Sequence, residues 1–343
     1  MKLLTFMLVL SLGLAFTVDF TSTSDAAGGD PTFTEYYKIG EPATVKIATA
    51  GGYIKATEGN AGGVTVEFYV RKGNSPQKMT LEELKKEMDV EINSSSKELD
   101  ISVKSKEKSW NWKNKLNVSF VVYTPRRSAC VLQTSGGHLE MTGLAGTQVL
   151  STSGGKIIME NIQGEVVAST SGGHINASNI EGNLTTKTSG GHIHLDNIEG
   201  NSVAKTSGGH VNVSNLEGNL VAGTSGGHID LENIEGNIVA KTSGGHISLN
   251  DIEGAAQAQT SGGSIKGSFS SISGPIDLAT SGGSINIDVP DNAGMDVLIK
   301  GTSTHVELGN FKGTSKRNLK DGTVNGGGVA VKLKTSGGSA TLR

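Results

Sequence analysis

An all-β solenoid is the fold this sequence predicts, and three observations predict it. The tetrapeptide Thr-Ser-Gly-Gly begins at Thr134, Thr152, Thr170, Thr188, Thr206, Thr224, Thr242 and Thr260, a spacing of 18 residues without a slip. A fixed short period means that every unit stacks on the last in one geometry. A unit this short cannot bury a core alone, so the core must run along the axis of a stack. Between the tetrapeptides, apolar and polar residues alternate at the period of a β-strand. Composition agrees: aromatic residues are 4 % and hydrophobic residues 35 % of the 343 residues, too few for a thick core. The 49 glycines follow no Gly-X-Y period, which excludes collagen. A net charge of −3 excludes the bulk basicity of a nucleic-acid binder.

The chain opens with Lys2, an apolar run over residues 3–18, then Thr-Ser-Thr-Ser-Asp-Ala-Ala. This is the basic start, apolar middle and small-residue cut site of a secretory signal peptide over residues 1–26, with Ser24 and Ala26 flanking the cut. The run is short for a bilayer span. The mature chain is therefore expected to be exported, to the periplasm, the cell surface or the medium, with no transmembrane segment after cleavage.

Residues 28–130 carry no strict repeat and read as an irregular, mainly-β cap region. Alternation predicts strands over residues 43–47, 64–70, 98–103 and 116–123. Thr80 with Glu83 three residues later is a capping box and predicts a short helix over residues 80–88. Thr49-Ala50-Gly51-Gly52-Tyr53-Ile54 is a degenerate copy of the repeat turn. Cys130 is the single cysteine; between Ala129 and Val131 it reads as a buried, structural thiol.

The regular array spans residues 131–263. In the unit at 227–243, Ile229 and Leu231 share one face, with His228, Asp230 and Glu232 on the other. Alternation breaks at Asn233-Ile234-Glu235-Gly236-Asn237, a turn. Ile238, Ala240 and Thr242 resume on the core side, leaving Val239 and Lys241 outside, and Gly244-Gly245 turns the chain again. Each unit is two short strands and two turns, and equivalent strands stack in parallel about 4.8 Å apart. The glycines are expected to supply the positive φ of tight turns. Asn161, Asn179, Asn197, Asn215 and Asn233 align, with Asp251 in the same place, and predict an amide ladder. The inward threonines argue against an ice-binding array. After Thr260 the period loosens: Thr280 arrives two positions late, Val289-Pro290 interrupts, and a last tetrapeptide starts at Thr335. Residues 264–343 are expected to complete and cap the open end.

Pro125 before Leu132-Gln133-Thr134-Ser135-Gly136-Gly137, the many TSGG units, Val289-Pro290, and Asn325-Gly326-Gly327-Gly328 ahead of the final TSGG together resemble a bacterial family of β-strand-repeat proteins. This is the domain-of-unknown-function 4097 (DUF4097) family of putative adhesins, and the resemblance covers roughly residues 40–343. It implies a single-stranded, right-handed parallel β-helix in an exported protein, here with 18-residue coils. It brings no catalytic motif. This chain departs from the family in its unusually regular middle and in the histidine after most Gly-Gly pairs.

Four sets of outward residues are candidates for chemistry. His138, His174, His192, His210, His228 and His246 occupy one register, with Lys156 replacing the second member and Ser264 ending the row; His194 is an outward neighbour. Imidazoles suit Zn²⁺, Ni²⁺ or Cu²⁺. A tight site wants three or four convergent ligands and a straight row offers two, so His174, His192, His210, His228 and His246 are at most weak metal candidates. Glu181, Glu199, Glu217, Glu235 and Glu253 form a second row, either solvated charge or a surface for a partner; Lys187, Lys205 and Lys241 form a third. Trp110 and Trp112, in Ser-Trp-Asn-Trp-Lys, stack on a sugar ring if exposed or pack under the cap if buried.

No phosphate loop, dinucleotide fingerprint or nucleophile elbow occurs. The reading is a non-catalytic exported solenoid without cofactors that contacts a cell surface, a polysaccharide or another envelope component. The alternatives are a polysaccharide-processing β-helix enzyme, whose unique acids would fall in 264–334, and a structural or metal-adsorbing periplasmic protein.

Overall fold

The computed structural model describes residues 29–59, 61–106 and 116–343. The signal-like segment and Trp110 and Trp112 lie outside the described residues. The chain divides into two units at Asp30/Pro31, and the second carries every described strand.

The described residues of this second unit are all-β apart from one short helix, Leu81–Glu87, and the strands repeat in solenoid fashion. The helix begins as its sequence demands. Thr80 Oγ1 accepts from the Glu83 N–H at 3.3 Å, and Glu83 Oε2 accepts from the Thr80 N–H at 2.8 Å. Each array unit gives one longer strand, such as Ile229–Glu235, and one shorter strand, such as Ile238–Lys241. The longer strands build one 16-stranded sheet and the shorter strands another. Neighbours within the array are parallel and one full period apart: Ile229 pairs with Ile247, and Ile238 with Ala256.

Burial follows the predicted parity. Ile229, Leu231, Ile234, Ile238 and Ala240 are at most 2 % exposed, while Lys241 is exposed and Val239 half-buried. One of the inward positions of the shorter strand is filled by a small residue in every coil: Ala168, Thr186, Ala204, Ala222, Ala240 and Ala258 are all buried.

The threonines of the tetrapeptide are buried and tie the coils together. Thr206 Oγ1 donates to the Gly191 carbonyl of the preceding coil at 2.8 Å and accepts from the Gly209 N–H of its own turn at 3.3 Å. The same pair of bonds recurs at Thr152, Thr170, Thr188, Thr224, Thr242, Thr260 and Thr280. Replacing Thr206 by the isosteric valine strands a carbonyl and an N–H in the core, so we expect a loss of about 1–3 kcal/mol. Chemical denaturation of Thr206→Val checks this; a midpoint equal to that of the unsubstituted chain would refute the clip.

The stack extends beyond the regular tetrapeptides. Ala43–Thr49 pairs with Ser128–Thr134, and Ile54–Glu58 with Leu139–Thr142, so the degenerate turn at Thr49 forms a coil. Thr49 Oγ1 donates to the Val118 carbonyl at 2.9 Å, as its later counterparts do to theirs. Glu98–Ser105 and Leu116–Thr124 stack on the outer side of that coil although they follow it in sequence. Antiparallel strands finish this end: Met88–Ser94 on one sheet, Val64–Lys72 and Phe33–Tyr37 on the other.

The far end repeats this device. The late arrival of Thr280 is absorbed between Gly267 and Ile276. Gly267 still pairs with Leu249, one period back, whereas the partner of Ile276 is Ala256, which lies further back than one period. The final strands Val329–Thr335 and Ser339–Leu342 stack directly on Ile276–Thr280 and Ile285–Asp288. Met295–Lys300 and Ser303–Val306 lie beyond them, out of sequence order. The antiparallel strands Leu319–Val324 and Lys312–Lys316 close the row, and every residue of the last strand is exposed. Lysines on an outermost strand blunt it against pairing with another chain.

Candidate functional site

The histidine row sits at the corner where Gly-Gly leads into the longer strand, and its members are exposed or half-buried. Rings of His174, His192, His210, His228 and His246 stack with centroids 5.0, 4.8, 4.8 and 3.9 Å apart and interplanar angles of at most 16°. The Nδ1 atoms of His174, His192, His210 and His228 each accept the backbone N–H of the next member. His192 donates to His174 at 2.9 Å, His210 to His192 at 2.8 Å, His228 to His210 at 2.8 Å and His246 to His228 at 3.1 Å. His138 does the same for the Lys156 N–H at 3.0 Å. An imidazole that accepts at Nδ1 is neutral and carries its hydrogen on Nε2. The ring thus substitutes for a backbone acceptor at a corner where the ladder is interrupted. Ser264 shows that the acceptor is what matters, because its Oγ takes the Ser284 N–H at 3.2 Å. Burial, and then the neighbouring rings of His210 and His174, hold the His192 pKa below the ordinary value; burial, and then Lys156, do so for His138.

With Nδ1 committed to the backbone, a metal would have to displace hydrogen from Nε2 or break the ladder. Among the described residues no three His, Cys, Asp or Glu side chains converge as a metal site.

The asparagines stack as expected, and for an added reason. Asn161, Asn179, Asn197, Asn215, Asn233 and Asp251 all have φ of 54–55°. Among non-glycine residues, asparagine and aspartate tolerate this left-handed conformation best. Asn179 Nδ2 donates to Asn161 Oδ1 at 3.0 Å, Asn197 to Asn179 at 2.7 Å and Asn233 to Asn215 at 2.8 Å. The ladder is broken once, where Asn215 donates to Asp196 Oδ1 at 2.9 Å instead. A second ladder, Asn183, Asn201, Asn219 and Asn237, escaped the sequence reading although its 18-residue spacing is equally visible.

Glu181, Glu199, Glu217, Glu235 and Glu253 are aligned and exposed on the longer-strand sheet. Gln163 heads the row, donating to Glu181 Oε2 at 2.9 Å. Arg126, Asn161, Asn179, Gln163, Glu181 and Glu199 line a shallow surface groove at this end. Lys187, Lys205 and Lys241 align on the other sheet, with Gly223 in the third place, between Lys205 and Lys241, beside an outward stripe that includes Val167 and Val221. Cys130 is fully buried, and burial pushes its thiol up to about 12, which makes it inert.

Comparison with known proteins follows the repeat. Residues 227–343 match the model of the family described as Toastrack DUF4097. A search of the curated proteins finds no match. Among solved structures, a protein named a putative adhesin from Bacteroides fragilis is similar at 14 % identity, over 75 % of this chain and 96 % of that one, with a TM-score of 0.35. A protein named a putative cell adhesion protein from Clostridium sporogenes is similar at 11 % identity, over 90 % and 98 %, with a TM-score of 0.19. The family match covers residues 227–343, and the same family is the one that the TSGG spacing and the Asn325-Gly326-Gly327-Gly328 run resemble.

Proposed function

We propose that the chain is an exported, non-catalytic β-solenoid of the adhesin type, which contacts a cell surface or envelope component through its outer rows. The observation that carries this reading is that the repeated polar groups are spent on one another. The imidazole Nδ1 atoms and the asparagine amides bond along the axis, so they hold a rigid surface rather than poise a reaction. What that surface presents outward, the rows of Glu181, Glu199, Glu217 and Glu235 and of Lys187, Lys205 and Lys241, repeats at every rung or nearly so. Weak contacts repeated along a rigid body add by avidity.

Parallel pairing at a register of one period supports a single-stranded parallel β-helix as its architecture, and the right hand is proposed on the family resemblance alone. The division proposed is a signal peptide over 1–26, a cap region over 28–130, the regular solenoid over 131–263, and irregular coils with a second cap over 264–343. Export rests on the N-terminal segment. Among the described residues no helix is long and apolar enough to cross a membrane.

Whole coils can be removed without disturbing the register. Deleting residues 191–208 joins Gly190 to Gly209, and deleting 191–226 joins Gly190 to Gly227. Binding of the purified chain to bacterial cells is expected to fall stepwise with one and then two coils lost. No binding above background, or binding unchanged by the loss of two coils, would remove this reading.

A further inference from the structure

We propose that the outer face of the four strands Phe33–Tyr37, Val64–Lys72, Leu116–Thr124 and Ile54–Glu58 is a platform for neutral saccharide chains, with Tyr36 and Tyr123 as its stacking rings. The proposal rests on the surface-interaction reading above and names the chemistry of the partner.

Aromatic residues are concentrated here. Residues 131–263 contain no Phe, Tyr or Trp, whereas three of the chain's five tyrosines, Tyr36, Tyr69 and Tyr123, occupy outward positions of this one face, and the ring of Tyr53, just before Ile54–Glu58, lies 6.2 Å from that of Tyr69. Tyr36 is 61 % and Tyr123 36 % exposed. Both pair with Thr65, Tyr36 from one side and Tyr123 from the other, so the two residues stand two strand spacings apart, about 10 Å.

Both rings are seated on glycine. The Tyr36 hydroxyl donates to the Gly62 carbonyl at 2.9 Å. A Cβ on Gly63 would stand 2.6 Å from that hydroxyl oxygen, and a Cβ on Gly59 2.7 Å from Tyr123 Cβ. The loop therefore leaves room for the rings and fixes one of them before any ligand arrives, which lowers the ordering cost of binding.

The adjoining row supplies polar groups. Glu67 and Lys55 flank buried Val121 across the sheet. Tyr69 orients the Glu67 carboxylate by donating to Oε2 at 2.8 Å, and Lys55 is paired with Glu140 at 2.6 Å. A pyranose offers an apolar C–H face to an aromatic ring and hydroxyls to a carboxylate and an ammonium at its rim. The Glu67 carboxylate, and the engagement of Lys55 by Glu140, weigh against a polyanion. A protein partner would have to desolvate the Lys55–Glu140 pair, at a cost its Coulomb attraction need not recover.

Affinity electrophoresis of the purified chain through laminarin, galactomannan and hydroxyethylcellulose, with alginate as the polyanion, tests the proposal. At least one neutral polysaccharide should retard the chain. Tyr36→Ala/Tyr123→Ala should weaken that interaction about tenfold or more. Thr65→Arg, which fills the space between the rings, should do the same, while Gln257→Ala/Gln259→Ala, at exposed positions of the array, should not. Circular dichroism confirms that each variant is folded. Retardation by alginate alone, by none of the polymers, or undiminished in the two tyrosine-face variants overturns the proposal. If cell binding persists without saccharide binding, the platform fails and the surface-interaction reading stands, with a protein partner in its place. If the unsubstituted chain binds no cells, that reading fails by itself.

Discussion

Gly209→Ala is expected to destabilise the array by about 3 kcal/mol or more, while Gly208→Ala beside it costs about 1 kcal/mol or less. The two glycines look equivalent in sequence and differ in what a side chain would meet. A Cβ on Gly209 is driven into the carbonyl of Gly191 in the coil below and stands 2.8 Å from the His192 nitrogen. That neighbour is backbone, held in the ladder on its own far side, so it cannot yield. A Cβ on Gly208 meets the Ser189 and Gly190 carbonyl oxygens at 3.6 and 3.7 Å, ordinary contact distances. The tetrapeptide glycines were expected to serve positive φ; that is corrected here. Positive φ belongs to the other turn, at Gly182, Gly200, Gly218, Gly236 and Gly254, with values of 132–142°. The second glycine of each tetrapeptide is instead required by the close approach of successive coils. Urea midpoints of the two single variants check this, and equal losses would overturn it. Midpoints are the right comparison because a long repeat array need not unfold in one step.

That correction marks where the sequence stops being legible. Period and parity are local properties, so the coil, the buried Ile229, Leu231, Ile238 and Ala240, the inward threonines and the capping box at Thr80 could all be read directly. The distance between stacked backbones has no local signature, and hence the reason for Gly209 was misassigned. The ends were illegible for a related reason. Thr280 pairs with Thr335, far beyond the next repeat position, and Glu98–Ser105 stacks outside a coil that precedes it. Pairings of this separation are set by which strand completes the sheet, not by pattern. The tyrosine face is hidden in the same way, since Tyr36, Thr65 and Tyr123 become neighbours only when three distant segments pair. For the histidine row the register was visible, but the hydrogen bond that decides its chemistry was not.

Acidification from pH 7.5 to 5 is expected to lower the thermal midpoint of this protein, through the histidine ladder. The Nδ1 atoms of His138, His174, His192, His210 and His228 each accept a backbone N–H. Protonating one replaces the acceptor with a second donor pointed at the first, and places a positive charge a rung from its neighbours. The pKa of His192 is held low by burial and then by His210 and His174, and that of His138 by burial and then by Lys156. The unfolded chain, near the ordinary value of about 6.5, therefore binds more protons than the folded one between the two values. Stability is complete above about pH 6.5 and is lost as pH falls through the lowered folded values. Aspartates and glutamates also respond to acid, so a variant must isolate the ladder. Ser264 and Ser284 supply it. They occupy the same register further along, and their hydroxyls accept the N–H groups of Ser284 and Ser339, both at 3.2 Å. Changing His138, His174, His192, His210, His228 and His246 together to serine keeps a hydroxyl acceptor in this register and removes every imidazole of the row, including both whose pKa is lowered. The midpoint of that variant should be nearly flat from pH 7.5 to 5.5 where the unsubstituted chain declines. A parallel decline in both proteins would assign the acid sensitivity to the carboxylates and leave the imidazoles as passive acceptors.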